Sequence, residues 1–127
     1  MDLDQLTGQI VDAAMRVHSR LGPGLLESTY EACLFYELHK RGLRADRQVE
    51  LPVTYDEVTL DCGYRIDVFV EDCVIVELKA VQEMIPLFQA QLLTYLKLAG
   101  KPVGLLINFN VLHLKDGIKR MIHSNNR

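Results

Sequence analysis

Two acids and a lysine stand at short spacing inside apolar runs. Asp67 lies in Ile66-Asp67-Val68-Phe69-Val70, and Glu77 and Lys79 lie in Val74-Ile75-Val76-Glu77-Leu78-Lys79. A carboxylate buried in a strand is costly unless something neutralises it. A divalent metal does so, and hard cations such as magnesium prefer carboxylate oxygen. Residues two apart on a strand share a face, so Lys79 accompanies Glu77. Two acids and a lysine on one face are suited to hydrolysing phosphate esters. The competing readings are a solvated strand face and a structural ion network of Asp67, Arg65, Glu77 and Lys79.

The hairpin between the two runs decides whether the acids meet. Glu71-Asp72 start its turn. A two-residue loop pairs Val70 with Cys73, sets Asp67 against Val76, and points Glu77 to the other face. A three-residue loop, or one bulge, pairs Asp67 with Glu77 on the same face. A shared metal therefore requires the odd loop.

Helices and strands must carry these residues. Leu6, Ile10, Ala13, Ala14, Val17 and Leu21 follow helical spacing, which predicts an amphipathic helix over about 4–20, stopped by Leu21-Gly22-Pro23-Gly24. A second helix is expected from about Leu25 to Arg41, with Gly42 as a left-handed cap and Leu43 as its apolar contact. Val49, Leu51, Val53 and Tyr55 alternate as a strand, and Asp56-Glu57 make a turn. Every even position from Val58 to Val70 is apolar, which predicts one long strand. Residues 74–79 are apolar on both faces and are expected to be central in the sheet. Pro86 opens a third helix that runs to about Ala99 before Gly100 and Pro102. The run Val103–Phe109 reads as a buried strand, parallel to the Glu77 strand across that helical crossover. Val111–Leu114 and Ile118–Ile122 flank Asp116-Gly117, a hairpin signal.

Bulk properties narrow the classes. A chain of 127 residues suggests one domain over 1–127. No stretch approaches the about 20 apolar residues of a membrane span. Met1-Asp2-Leu3-Asp4 lacks a signal-peptide pattern. Cys33, Cys62 and Cys73 have no CxxC spacing and read as buried free thiols, so a reducing cytoplasm is expected. The net charge of −3 does not announce a nucleic-acid binder, but it is split: −8 over residues 1–78 and +5 over 79–127. Such a split reads as ordinary surface charge or as a local phosphate-binding face.

Other residues are ambiguous on spacing alone. Glu27 shares a helix face with Tyr30 and Leu34 and could reach the same metal, or simply favour the helix dipole. Gln91 and Tyr95 are four apart and share a face that could touch a phosphate or base, or border the core. Lys40, Arg41, Arg44 and Arg47 make a basic cluster, half of it explained by helix-end electrostatics. The four histidines lack metal-ligand spacing, and there is no nucleophile elbow, P-loop or Rossmann glycine pattern.

Five segments taken in order resemble a known family. Gly24-Leu25-Leu26-Glu27-Ser28-Thr29-Tyr30 reads G-x-x-E-x-x-Y. It is followed by Tyr64-Arg65-Ile66-Asp67, Val76-Glu77-Leu78-Lys79-Ala80, Gln91–Leu96 and Gly104–Phe109. Together, over about residues 5–122, they look like the GxxExxY family of the PD-(D/E)XK nuclease-like superfamily. The resemblance implies an α/β (α+β) fold with a restriction-endonuclease-like αβββαβ core, a mixed central sheet flanked by helices. It implies Mg²⁺ or Mn²⁺ held by Asp67 and Glu77, with Glu27 and the Leu78 carbonyl as further ligands. Lys79 would assist the attacking water, and Tyr30, Gln91 and Tyr95 would position the substrate. Ile66 stands where the superfamily's signature has proline.

The expected activity is metal-dependent hydrolysis of phosphodiester bonds in DNA or RNA, without a membrane, and with a homodimer or larger protein partner as added grip. The alternative is a nucleic-acid-binding or partner-binding module that keeps the fold without turnover.

Overall fold

The computed structural model describes residues 1–124. Helix α1 (Leu3–Leu21) opens on a capping box: the Gln5 amide donates to the Asp2 carboxylate at 2.8 Å, and the Asp2 amide donates to Gln5 Oε1 at 3.0 Å. It buries Leu6, Ile10, Ala13, Ala14 and Val17, the expected face, and leaves Leu21 exposed. Helix α2 (Glu27–Lys40) ends as the sequence predicts. Gly42 takes φ +79, its amide donates to His39 O, and the Leu43 amide donates to Leu38 O at 3.0 Å, with Leu43 buried.

The strands are β1 (Ala45–Glu50), β2 (Val53–Tyr55), β3 (Val58–Leu60), β4 (Arg65–Val70), β5 (Val74–Lys79), β6 (Val103–Asn108) and β7 (Ile118–Ile122). Helix α3 (Pro86–Ala99) joins β5 to β6. Five strands form one sheet in the order β1-β4-β5-β6-β7. β5 is central, as its two apolar faces require, and it pairs parallel to β6 while every other pair in the sheet is antiparallel. One face packs on α1 and α2 through Val68, Val70, Val76, Leu78 and Leu105. The other packs on α3 through Ile75, Leu106, Leu92 and Leu96. The result is the αβββαβ arrangement of a restriction-endonuclease-like fold, a mixed sheet between helices.

Three expectations are corrected. The long strand over 58–70 is two strands, because Asp61 Oδ1 accepts the Gly63 amide at 3.0 Å and Gly63 turns left-handed at φ +82. Its first part pairs with β2 as a separate ribbon, which leaves the sheet after Leu51-Pro52, where proline has no N–H for a ladder. Residues 111–114 are not a strand. β7 pairs instead with β6, Ile107 opposite Ile118, after a 3₁₀ turn at Leu114–Gly117. Glycine is required there, since a Cβ on Gly117 would collide with the Asn108 carbonyl oxygen. Finally, Cys62 is exposed rather than buried, because it lies in the break between β3 and β4, and Cys33 and Cys73 are half-buried; all three cysteines are unpaired.

Candidate active site

The β4–β5 hairpin has the odd loop. Glu71 and Asp72 both take positive φ, the Cys73 amide donates to Val70 O at 3.0 Å, and Cys73 is the extra residue. Val70 therefore faces Val74, Phe69 faces Ile75 and Val68 faces Val76. One step further along this register, Asp67 faces Glu77. The backbone ladder stops there, and the carboxylates replace it. The Asp67 amide donates to Glu77 Oε2 at 3.0 Å, and the Leu78 amide donates to Asp67 Oδ2 at 2.8 Å.

Negative charge accumulates at this point. Glu77 is 7% exposed. Burial first, and then Asp67 beside it, push its carboxyl up to about 8. Burial also raises Asp67, tempered by the Leu78 amide. Glu27, at the N-terminus of α2, is raised by burial and then by Asp67. Tyr95 on α3 is raised by burial and then by Glu77 and Asp67. The acids, Tyr95 and Lys79 thus sense one another electrostatically across four elements, α2, β4, β5 and α3.

Lys79 does not neutralise Glu77 by direct pairing. Its ammonium lies over the Phe88 ring, 4.3 Å from the centroid. Arg65 pairs with Asp61 at 3.8 Å and donates to Tyr64 O, away from the acids. The proposed structural network of Asp67, Arg65, Glu77 and Lys79 is therefore not formed. Buried Glu77 and half-buried Asp67, whose carboxyls are held up by burial and by neighbouring negative charge without an ion pair, suit a cation, and oxygen donors suit a hard one. As placed, the carboxylates are turned to backbone N–H groups, and no ready cluster of three His, Cys, Asp or Glu ligands exists among the described residues.

The supporting shell is built from distant segments. The Phe109 amide donates to Lys79 O at 2.9 Å and fixes the end of β5. Buried Asn108 clamps Val81, accepting its amide at 3.1 Å and donating to its carbonyl at 3.0 Å. Tyr30 stacks on Phe109, centroids 4.5 Å apart. Its hydroxyl donates to Gly22 O at 2.6 Å and accepts the Leu25 amide at 3.1 Å. Tyr30 is fully buried, so the expected contact with substrate is corrected: this side chain shapes the loop that presents Glu27.

Gln91 donates to the Tyr95 hydroxyl at 3.4 Å. Both line a cleft of about 430 Å³ together with Val53, Tyr64, Leu87 and Thr94. Tyr64 stands edge-on to Tyr95 at 6.1 Å and is half exposed. The basic cluster does not form a free patch, because Lys40, Arg41, Arg44 and Arg47 pair with Glu37, Asp12, Asp46 and Glu31.

A model of the PD-(D/E)XK nuclease superfamily matches residues 4–121. The chain belongs to this superfamily. No curated protein and no solved structure matches it. PD-(D/E)XK proteins are generally nucleases, and they usually use divalent metals such as Mg²⁺. Among the described residues, no helix of this PD-(D/E)XK chain is long and apolar enough to cross a membrane.

Three residues beside this PD-(D/E)XK hairpin were given no role by sequence reasoning. Glu31 is four residues after Glu27, a spacing that signals a shared helix face. Tyr64 lies in the segment that leads into Asp67. Gln48 gave no signal, because its position depends on an unusual backbone turn.

Proposed function

We propose that this chain is a GxxExxY-type nuclease, a phosphodiesterase dependent on Mg²⁺ or Mn²⁺ that acts on DNA or RNA, with residues 1–127 as one nuclease-like domain. The observation that carries this reading is the odd loop. It sets half-buried Asp67 opposite buried Glu77, with Glu77 pushed up to about 8 and no cation paired to either. Asp67, Glu77, the Leu78 carbonyl and Glu27 would hold the metal, which supplies an acidified water and charge neutralisation at the phosphate.

The chain's own residues do the rest. Water adds to phosphorus, the bond to the 3′ oxygen breaks, and the products are a 5′-phosphate and a 3′-hydroxyl. Lys79 stabilises the charge that builds on the phosphate oxygens. Gln91 and Tyr95 orient the strand, with Tyr64 and Leu87 beside them in the cleft. Three unpaired cysteines support a reducing cytoplasm.

A second reading is a binding module without turnover. The pairing of Lys40, Arg41, Arg44 and Arg47 favours it, because this cluster is not free to grip a long strand. The same pairing supports a homodimer or a larger protein partner that supplies grip.

The test is cleavage of labelled single- and double-stranded DNA and RNA with Mg²⁺ or Mn²⁺, beside Glu77→Ala and a chelator. Cleavage by the wild type, lost in both controls, is the expected result. Binding without cleavage, insensitive to Lys79→Ala, would establish the module instead.

A further inference from the structure

One backbone feature of β1 is unexplained by the sheet. Gln48 takes φ +52 in the middle of the strand. The pairs on either side, Arg47 with Val68 and Val49 with Ile66, keep one register, so no extra residue causes the excursion. A left-handed non-glycine residue inside a strand is strained and persists only where its surroundings hold it. Gln48 stands opposite Asp67 in this register. Its side-chain amide donates to Glu31 Oε1 at 2.9 Å and to Asp67 Oδ1 at 3.3 Å.

The other Glu31 oxygen accepts Arg47 Nε at 3.0 Å, and Glu31 is buried. A chain of contacts therefore runs from Arg47 through Glu31 and Gln48 to Asp67. Glutamine suits the third place because its nitrogen carries two protons and can serve two carboxylates at once. A carboxylate there would repel both. A shorter amide would not span them.

We propose that Gln48 is a positioning residue for Asp67: its left-handed backbone aims one amide nitrogen between Glu31 and Asp67 and sets the orientation in which Asp67 meets a divalent cation. This inference rests on the metal-site reading above. Partners one step behind a metal ligand fix its orientation, and their loss weakens metal affinity by about 10–100-fold.

The experiment is a Mn²⁺ titration of full-length wild type, Gln48→Gly and Gln48→Asn, read as thermal unfolding temperature. Glycine and asparagine both accept the left-handed backbone, so the fold is kept while the bridge is lost. The Mn²⁺ concentration for half-maximal stabilisation, measured from each variant's own metal-free unfolding temperature, is expected to rise by about tenfold or more in Gln48→Gly. If Gln48→Gly fails to fold, Gln48→Asn decides by the same midpoint. An unchanged midpoint overturns the positioning role alone. A wild type that Mn²⁺ does not stabilise overturns the metal-site reading, and this inference with it.

Discussion

Glu77→Gln is expected to stabilise the metal-free protein by about 3–5 kcal/mol at pH 8.5, and by almost nothing at pH 4. The native state keeps the Glu77 carboxyl up at about 8 against 4.5 in the unfolded chain. Below about 4.5 both states are protonated, and Glu77 imposes no penalty. Between 4.5 and 8 the unfolded chain releases a proton that the native state retains, so stability falls as pH rises. Above about 8 the native carboxylate is charged and the full penalty stands. Asp67 and Glu27, also raised, act in the same direction. Glutamine keeps an acceptor for the Asp67 amide and removes the titration. Urea midpoints across pH 4–9 check this. Parallel pH profiles for wild type and variant would contradict the assigned burial of charge.

Lys79→Met is expected to slow cleavage by about 10²–10³-fold, the scale seen when one donor to a developing charge is removed. The structure makes this substitution clean. The ammonium sits over Phe88 instead of pairing with Glu77, so methionine keeps the packing of the stem and breaks no direct ion pair. Packing around Phe88 is expected to be kept, while the acids that Lys79 pulls down are expected to rise further. Single-turnover kinetics at saturating metal separate the chemical step from binding. A variant that cleaves at the wild-type rate would remove Lys79 from the reaction.

The parts of the fold set by periodicity were legible. The α1 face, the glycine stop after α2 and the central place of β5 follow from residues that have only one good environment. The hairpin register was legible as a condition, since Asp67 and Glu77 can meet only across an odd loop. Other features depend on contacts between distant segments. Tyr30 reads the same in sequence whether it faces a substrate or the Gly22 carbonyl. Gly117 looked like a turn residue, yet its place is decided by the Asn108 backbone passing beside it. Gln48 resembles any strand glutamine until its φ is known. The Asp61–Gly63 turn was readable in principle, but the unbroken apolar alternation across it was the louder signal.

The swap of ladder for carboxylates at the end of the β4–β5 hairpin ties two backbone amides to the fate of two side chains. Asp67 N–H is shielded only while Glu77 accepts it, and Leu78 N–H only while Asp67 does. A cation that draws those oxygens away competes with the strand itself. If the site binds a metal as proposed, exchange is expected to slow across the surrounding sheet, through added stability, and to speed up at Asp67 and Leu78, through lost acceptors. Hydrogen–deuterium exchange at these two positions, opposite in sign to their neighbours, reads out occupancy of the site without any substrate.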